Sequence, residues 1–257
     1  MTHRHLSILI TGAGSGLGRG LADVLSTGGH RIFVTDQSPE RAAETLSMID
    51  RPGGTASAHA LDVTRDDSIE AMLRTVGNEP VDVLVNNAGL QHVARLEEFP
   101  QEKWDLLIDV MLRGACRMSR AVLPIMRKNS FGRIINIGSI HSLVASSFKT
   151  AYVAAKHGLV GLAKVLALET ADVDITVNTI CPSYIRTPLV DAQIEAQART
   201  HGITPEQVID QIMLKPMPKR CFITPEEVAA TVEFLCTAAA RNITGQCIVI
   251  DGGWTIQ

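Results

Sequence analysis

The chain has 257 residues, a formal net charge of −3 at pH 7 and 46% apolar residues, which suits a single domain with a sizeable core. That charge balance gives no electrostatic reason to expect nucleic acid or an anionic membrane surface as a partner. No apolar run reaches the roughly 18 residues that a spanning helix needs. The start, Met1-Thr2-His3-Arg4-His5, leads straight into a strand and leaves no room for a signal peptide, so a cytoplasmic protein is expected.

Leu6 to Ile10 is a short apolar run of strand character, followed by Thr11-Gly12-Ala13-Gly14-Ser15-Gly16-Leu17-Gly18 and a helix-forming stretch from about Leu17 to Ser26. Strand, glycine-rich turn and helix in that order let backbone approach a pyrophosphate at a helix N-terminus. The plainer alternative is a flexible Gly/Ser loop. The next strand, Arg31 to Thr35, ends in Asp36, about 20 residues past the glycine turn. A carboxylate there accepts hydrogen bonds from the adenosine ribose hydroxyls and repels a 2′-phosphate, pointing to NAD over NADP. Gln37 and Ser38 follow, and no nearby arginine is expected to offer the cation that a 2′-phosphate would need.

Further along, a strand from Val81 to Val85 runs into Asn86-Asn87-Ala88-Gly89, and another from Arg133 to Ile137 runs into Gly138-Ser139. Ser139 therefore emerges at the carboxyl end of a strand, where parallel sheets bind ligands. Within a short loop comes Tyr152-Val153-Ala154-Ala155-Lys156. On a helix this spacing places both side chains on one face, about 5 to 6 Å apart at Cβ. An ammonium beside a phenol lowers its pKa toward working pH, making Tyr152 a usable general acid or base. Taken alone, the pair equally suits an amphipathic surface.

Strands alternate with helical stretches throughout, which predicts an α/β fold: one doubly wound Rossmann-type parallel sheet with helices on both faces, in a single domain over residues 1–257. The helix from Ala151 to Leu168 is rich in small residues and permits close approach of another helix. The stretch from Val190 to Phe222 mixes helical segments, Asp191 to Thr200 and Pro205 to Leu214, with the breakers Pro216 and Pro218. It reads as a helical lid over the site, or else as a packing subdomain that never moves. The five cysteines, Cys116, Cys181, Cys221, Cys236 and Cys247, lack C-x-x-C spacing and read as reduced, mostly buried thiols, with no metal site expected. Four polar residues, Gln91, His141, Lys149 and Gln193, lie near strand ends or in the lid, so a cation, an imidazole and two amides could surround a small anion.

These motifs together resemble the short-chain dehydrogenases and reductases over essentially the whole chain: Thr11-Gly12-x-x-x-Gly16-x-Gly18, Asp62-Val63, Asn86-Asn87-Ala88-Gly89, Ser139, Tyr152-x-x-x-Lys156, Pro182 and Asp251-Gly252-Gly253. The resemblance implies that Tyr152 exchanges a proton with the substrate oxygen, Ser139 holds that oxygen, and Lys156 binds the nicotinamide ribose and lowers the tyrosine pKa. It implies cofactor contacts from Gly12, Ser15, Gly16, Leu17, Gly18, Asp36, Asp62, Val63, Asn87, Ala88, Gly89, Pro182 and Thr187, and a homotetramer. Within the family the chain looks most like the D-3-hydroxybutyrate dehydrogenases, which implies that Gln91, His141, Lys149 and Gln193 bind a substrate carboxylate. Tyr184 then stands where those enzymes place a tryptophan against the substrate's methyl end.

The expectation is an NAD-dependent oxidoreductase interconverting a short 3-hydroxy acid and its 3-oxo acid. Met111 replaces the usual asparagine of the proton relay, and Ser183 the glycine after Pro182. Two alternatives follow: the same chemistry on another small anion such as a phosphonate, sulfonate or larger hydroxy acid, or a weakly active NAD-binding sensor.

Overall fold

The computed structural model describes residues 5–49, 55–77 and 79–256; residues 1–4, on which the expectation of no leader rests, lie outside them. Seven strands form one sheet: β1 (Ser7–Thr11), β2 (Arg31–Asp36), β3 (Thr55–Ala60), β4 (Val83–Asn86), β5 (Phe131–Ile137), β6 (Asp174–Pro182) and β7 (Cys247–Ile250). Their order is β3-β2-β1-β4-β5-β6-β7, with every neighbouring pair parallel. Buried on both faces, central strands of such a sheet read as continuous apolar runs; β1 and β5 are buried at every residue. Arg133 interrupts β5, yet it is almost wholly enclosed and satisfied by Asp174 at 3.0 Å and the carbonyls of Leu235, Gly132 and Asp174.

The pleat divides the core. On one face Ile8, Ile10 and Val34 pack with Leu21 and Leu25 of α1 (Gly16–Thr27) and with Val228 and Val232. On the other, Leu9 and Phe33 pack with Ile69 and Met72 of α3 (Asp66–Val76) and with Met118 and Val122; α2 (Pro39–Ile49) links β2 to β3. The chain runs from α4 (Gln101–Ile108) into α5 (Gly114–Lys128) through a π-helical turn at Asp109–Arg113. The long helix α6 (Thr150–Glu169) packs on β6.

The predicted lid holds α7 (Pro188–His201), α8 (Pro205–Val208) and a second π-helical turn, Ile209–Met213. Thr187 and Thr204 accept hydrogen bonds from the opening turns of α7 and α8, each with proline in its first turn. The lid has its own small core, Val190, Ile194, Val208 and Met213, against which Tyr184 and Phe222 pack. The last helix, α9 (Pro225–Cys236), starts with a capping box between Thr224 and Glu227.

Two expectations need correction here. Cys116 and Cys221 are exposed and only Cys181 is fully buried, so the thiols are not mostly buried. By length and composition α6 is apolar enough to cross a membrane, with mean hydropathy 1.3, although glycines and polar residues interrupt its apolar run. Its inner face carries Ala151, Ala155, Lys156, Leu159 and Ala163 into the core.

Candidate active site

Strand order reverses between β1 and β4, and this switch point is where a doubly wound sheet opens a crevice at its carboxyl edge. A cavity of about 560 Å³ lies there. Gly12 and Gly16 have φ of +64° and +54°, the left-handed region that glycine adopts freely. A Cβ on Gly12 would meet the Ala88 Cα at 2.9 Å, so β1 and β4 can approach only because it is absent. Ser15 caps α1 without a side-chain hydrogen bond, and the first turn holds no acidic residue. Its free N–H groups suit an anion. Thr187 faces Gly16 across the crevice, 3.6 Å from where a Cβ would be.

All but one of the expected cofactor residues line this cavity: Gly12, Ser15, Gly16, Leu17, Asp36, Asp62, Val63, Asn87, Ala88, Gly89, Tyr152, Lys156, Pro182 and Thr187. Gly18 does not. A Cβ there would sit 2.4 Å from the Gly12 carbonyl oxygen and 2.5 Å from the Asn87 amide nitrogen, so this glycine lets α1 close against the turn. The Asn87 carboxamide is itself engaged, donating to the Thr11 and Gly12 carbonyls at 2.9 and 3.1 Å.

Asp36 is buried, and its two oxygens accept from the Gly14 and Ser38 N–H groups at 3.1 and 3.0 Å. The expectation of no nearby arginine fails. The first turn of α2 brings Arg41 back beside Asp36, and both line the cavity. A Cβ on Gly14 would lie 2.6 Å from the Arg41 Cβ and 2.7 Å from the Asp36 carboxyl carbon.

At the other end of the cavity stand Ser139, Tyr152 and Lys156. Ser139 caps a short turn through a reciprocal box with Ser142 and hydrogen-bonds Tyr152. The Lys156 ammonium lies 5.5 Å from the centre of the Tyr152 ring and donates to the Ile137 carbonyl at 2.6 Å. Burial pulls Lys156 down to about 8. The expectation that the ammonium depresses the phenol is not met in this arrangement: burial pushes Tyr152 up, and the Ser139 hydrogen bond only opposes it.

Gln91, His141, Lys149, Tyr184 and Gln193 all line the same cavity, with the His141 ring 6.1 Å from that of Tyr152. Lys149 is half-buried, not a solvated surface lysine, and burial lowers its pKa. Among the described residues no carboxylate lies within ion-pair distance of it; its ammonium faces the Tyr184 ring, 5.9 Å from the centre. Burial, and next the Lys149 charge, pull His141 down to about 4, so its ring is neutral at working pH. Its Nδ1 is buried without a hydrogen-bond partner in the protein, which suits a ligand as the missing partner.

Sequence reasoning missed Trp254, whose ring lies 6.4 Å from His141 and 5.7 Å from Tyr184. Its place directly after Asp251-Gly252-Gly253, just beyond β7, was the available signal. Met111 sits in the π-helical turn, buried among Leu107, Ala151 and Ala155 with Tyr152 packed alongside. It also helps wall a second cavity of about 10 Å³ with Thr11, Asn86 and Lys156.

Comparison with known proteins agrees with this geometry. The family model described as enoyl-(acyl carrier protein) reductase matches residues 12–255. D-beta-hydroxybutyrate dehydrogenase of Rhizobium meliloti (strain 1021) is 46% identical over 97% of this chain and 98% of its own. The enzyme of that name from Cupriavidus necator is 43% identical over 97% of each. Among solved structures, a variant of actinorhodin polyketide ketoreductase with NADPH superposes with a TM-score of 0.92 at 33% identity, covering 97% of both chains.

Proposed function

Since the chain belongs to the short-chain dehydrogenase/reductase family, we propose that it is an NAD-dependent oxidoreductase interconverting a short 3-hydroxy acid and its 3-oxo acid, with D-3-hydroxybutyrate and acetoacetate the best-fitting pair. One observation carries the substrate class: a half-buried Lys149 with no carboxylate partner among the described residues, in the same pocket end as the orphaned His141 nitrogen and the Ser139–Tyr152 pair. A carboxylate would satisfy both, and charge-assisted hydrogen bonds of this kind contribute about 1.5 to 3 kcal/mol each. The names of the two relatives support the same class.

Bound at the glycine turn and Asp36, NAD would supply the hydride acceptor. In the oxidation direction the Tyr152 phenolate would take the substrate's O–H proton while Ser139 Oγ holds the oxygen that becomes the carbonyl. Burial favours the neutral phenol, so the phenolate would need stabilising by a cation drawn close, and the Lys156 ammonium, 5.5 Å from the ring centre, is at hand. Lys156 keeps its proton below about pH 8. Gln91, Lys149, neutral His141 and Gln193 hold the carboxylate, and Tyr184 walls the methyl end.

The aromatic wall of Tyr184 and Trp254 favours one second reading, a larger or differently anionic hydroxy compound on the same chemistry. Assembly as a homotetramer is supported by the outer face of α6, where Gly161 meets nothing within 4 Å and Val165 and Leu168 are exposed.

The test of the chemistry is Tyr152→Phe, which removes only the proton-carrying hydroxyl. Turnover should fall by about 10² to 10⁴ while NAD binding, followed by fluorescence of the reduced nicotinamide, stays near normal. Near-native turnover would exclude Tyr152 as the proton carrier.

A further inference from the structure

The segment that delivers Lys149 to the pocket is strained. Phe148 has a φ of +68°, a region where a bulky side chain is an outlier and where such residues gather at ligand clamps. Lys149 follows at the cap of α6, with φ −121° and ψ 38°, and its carbonyl accepts from the Val153 N–H at 2.8 Å. The helix side of this junction is therefore fixed, and the aim of the Lys149 side chain depends on how the chain arrives at it.

That arrival is held from the opposite loop. The Ala94 N–H donates to the Phe148 carbonyl at 3.0 Å, and the Arg95 guanidinium carbon stands 5.4 Å from the centre of the Phe148 ring. The ring is 46% exposed, so core burial does not explain its conformation. The loop that grips it follows β4 and carries Gln91, three residues before Ala94, which lines the same cavity as Lys149. One backbone carbonyl thus ties the segment presenting Gln91 to the segment presenting Lys149.

We propose that left-handed Phe148 is a positioning residue that sets Lys149 and Gln91 on a single substrate carboxylate. It rests on the reading of those two side chains as carboxylate-binding groups. The determinant is the backbone conformation at residue 148, stabilised through Ala94, with the Arg95 stacking on the ring as its outer brace.

The experiment compares native protein with Phe148→Ala and Phe148→Asn, measuring kcat and KM for D-3-hydroxybutyrate and for butan-2-ol, a neutral alcohol of similar size, with NAD. Both variants lose the ring, but asparagine adopts the left-handed region far more readily than alanine. The expected result is a roughly ten-fold rise in KM for the acid in Phe148→Ala, equivalent to about 1.4 kcal/mol, with kinetics on the alcohol unmoved. Phe148→Asn should keep the native preference for the acid.

Unchanged preference in both variants would overturn the proposal. So would equal loss in both, since the ring alone would then hold Lys149. A poorly folded variant would show itself by failing on the alcohol and in NAD binding, and Phe148→Gly, free to adopt the same φ, then takes the place of the alanine–asparagine contrast by retaining acid preference or, to the contrary, losing it. Native protein with no preference for the acid would instead sink the carboxylate reading itself.

Discussion

The Lys149 ammonium faces the Tyr184 ring at 5.9 Å from its centre, so this cation rests against an aromatic surface with no carboxylate partner among the described residues. Cation–aromatic attraction stabilises such a charge by about 0.5 to 2 kcal/mol, less than a carboxylate would. A ligand anion therefore has a prepared counterion. Lys149→Ala should raise KM for a 3-hydroxy acid roughly ten-fold to a hundred-fold and leave a neutral alcohol little affected. Unchanged selectivity would mean that Lys149 does not read a carboxylate.

His141 gives a pH signature. Its folded value of about 4 lies below the ordinary 6.5 of an imidazole, so between these limits the unfolded chain binds a proton that the folded chain refuses. The stability associated with this neutral ring is fully present above pH 6.5 and declines as pH falls toward 4. Replacing it in His141→Gln should flatten the fall in denaturant midpoint over that window, by an amount equivalent to about 1 to 3 kcal/mol. An identical pH profile in the variant would contradict a buried neutral imidazole.

Cofactor choice turns on Asp36 and Arg41. Asp36 is buried and its carboxylate is fixed by two backbone N–H groups, whereas Arg41 is exposed, so the repulsion of a 2′-phosphate should prevail and NAD should be preferred. Asp36→Ala should narrow the gap in kcat/KM, and adding Arg41→Ala should widen it again by removing the cation left behind. Equal or better turnover of native protein with NADP would refute NAD preference.

Much of this site was legible because its residues follow strands directly: the glycine turn after β1, Asp36 at the end of β2, Asn87 after β4, Ser139 after β5. A parallel sheet sends all those ends to one edge, so sequence order alone brings them together. Arg41 escaped because a helix turn, not a strand end, returns it to the cavity. Trp254 escaped because its partners, His141 and Tyr184, lie far from it in sequence and share no periodic pattern with it; only the sheet order places β7 beside β6. The two π-helical turns were equally hidden, since one extra residue in a helical turn barely disturbs an apolar period near 3.6.

The turn at Asp109–Arg113 sets the next prediction. Met111 is buried in an apolar cluster, and the adjoining cavity of about 10 Å³, bordered by Thr11, Asn86 and Lys156, approaches the size that holds one water. A relay through that point would not need an amide at residue 111. Met111→Asn should then be neutral or harmful, costing about 1 to 3 kcal/mol of stability for an amide buried without partners. A clear rise in turnover would instead show that the native relay is incomplete and favour a weakly active sensor.

The central claim is most directly tested by absorbance of the reduced nicotinamide when purified protein is mixed with NAD and D-3-hydroxybutyrate, beside other short hydroxy acids and neutral alcohols. The predicted result is reduction of NAD by the 3-hydroxy acid, with butan-2-ol a poor substrate. Tight NAD binding without reduction by any hydroxy acid in the panel would contradict it.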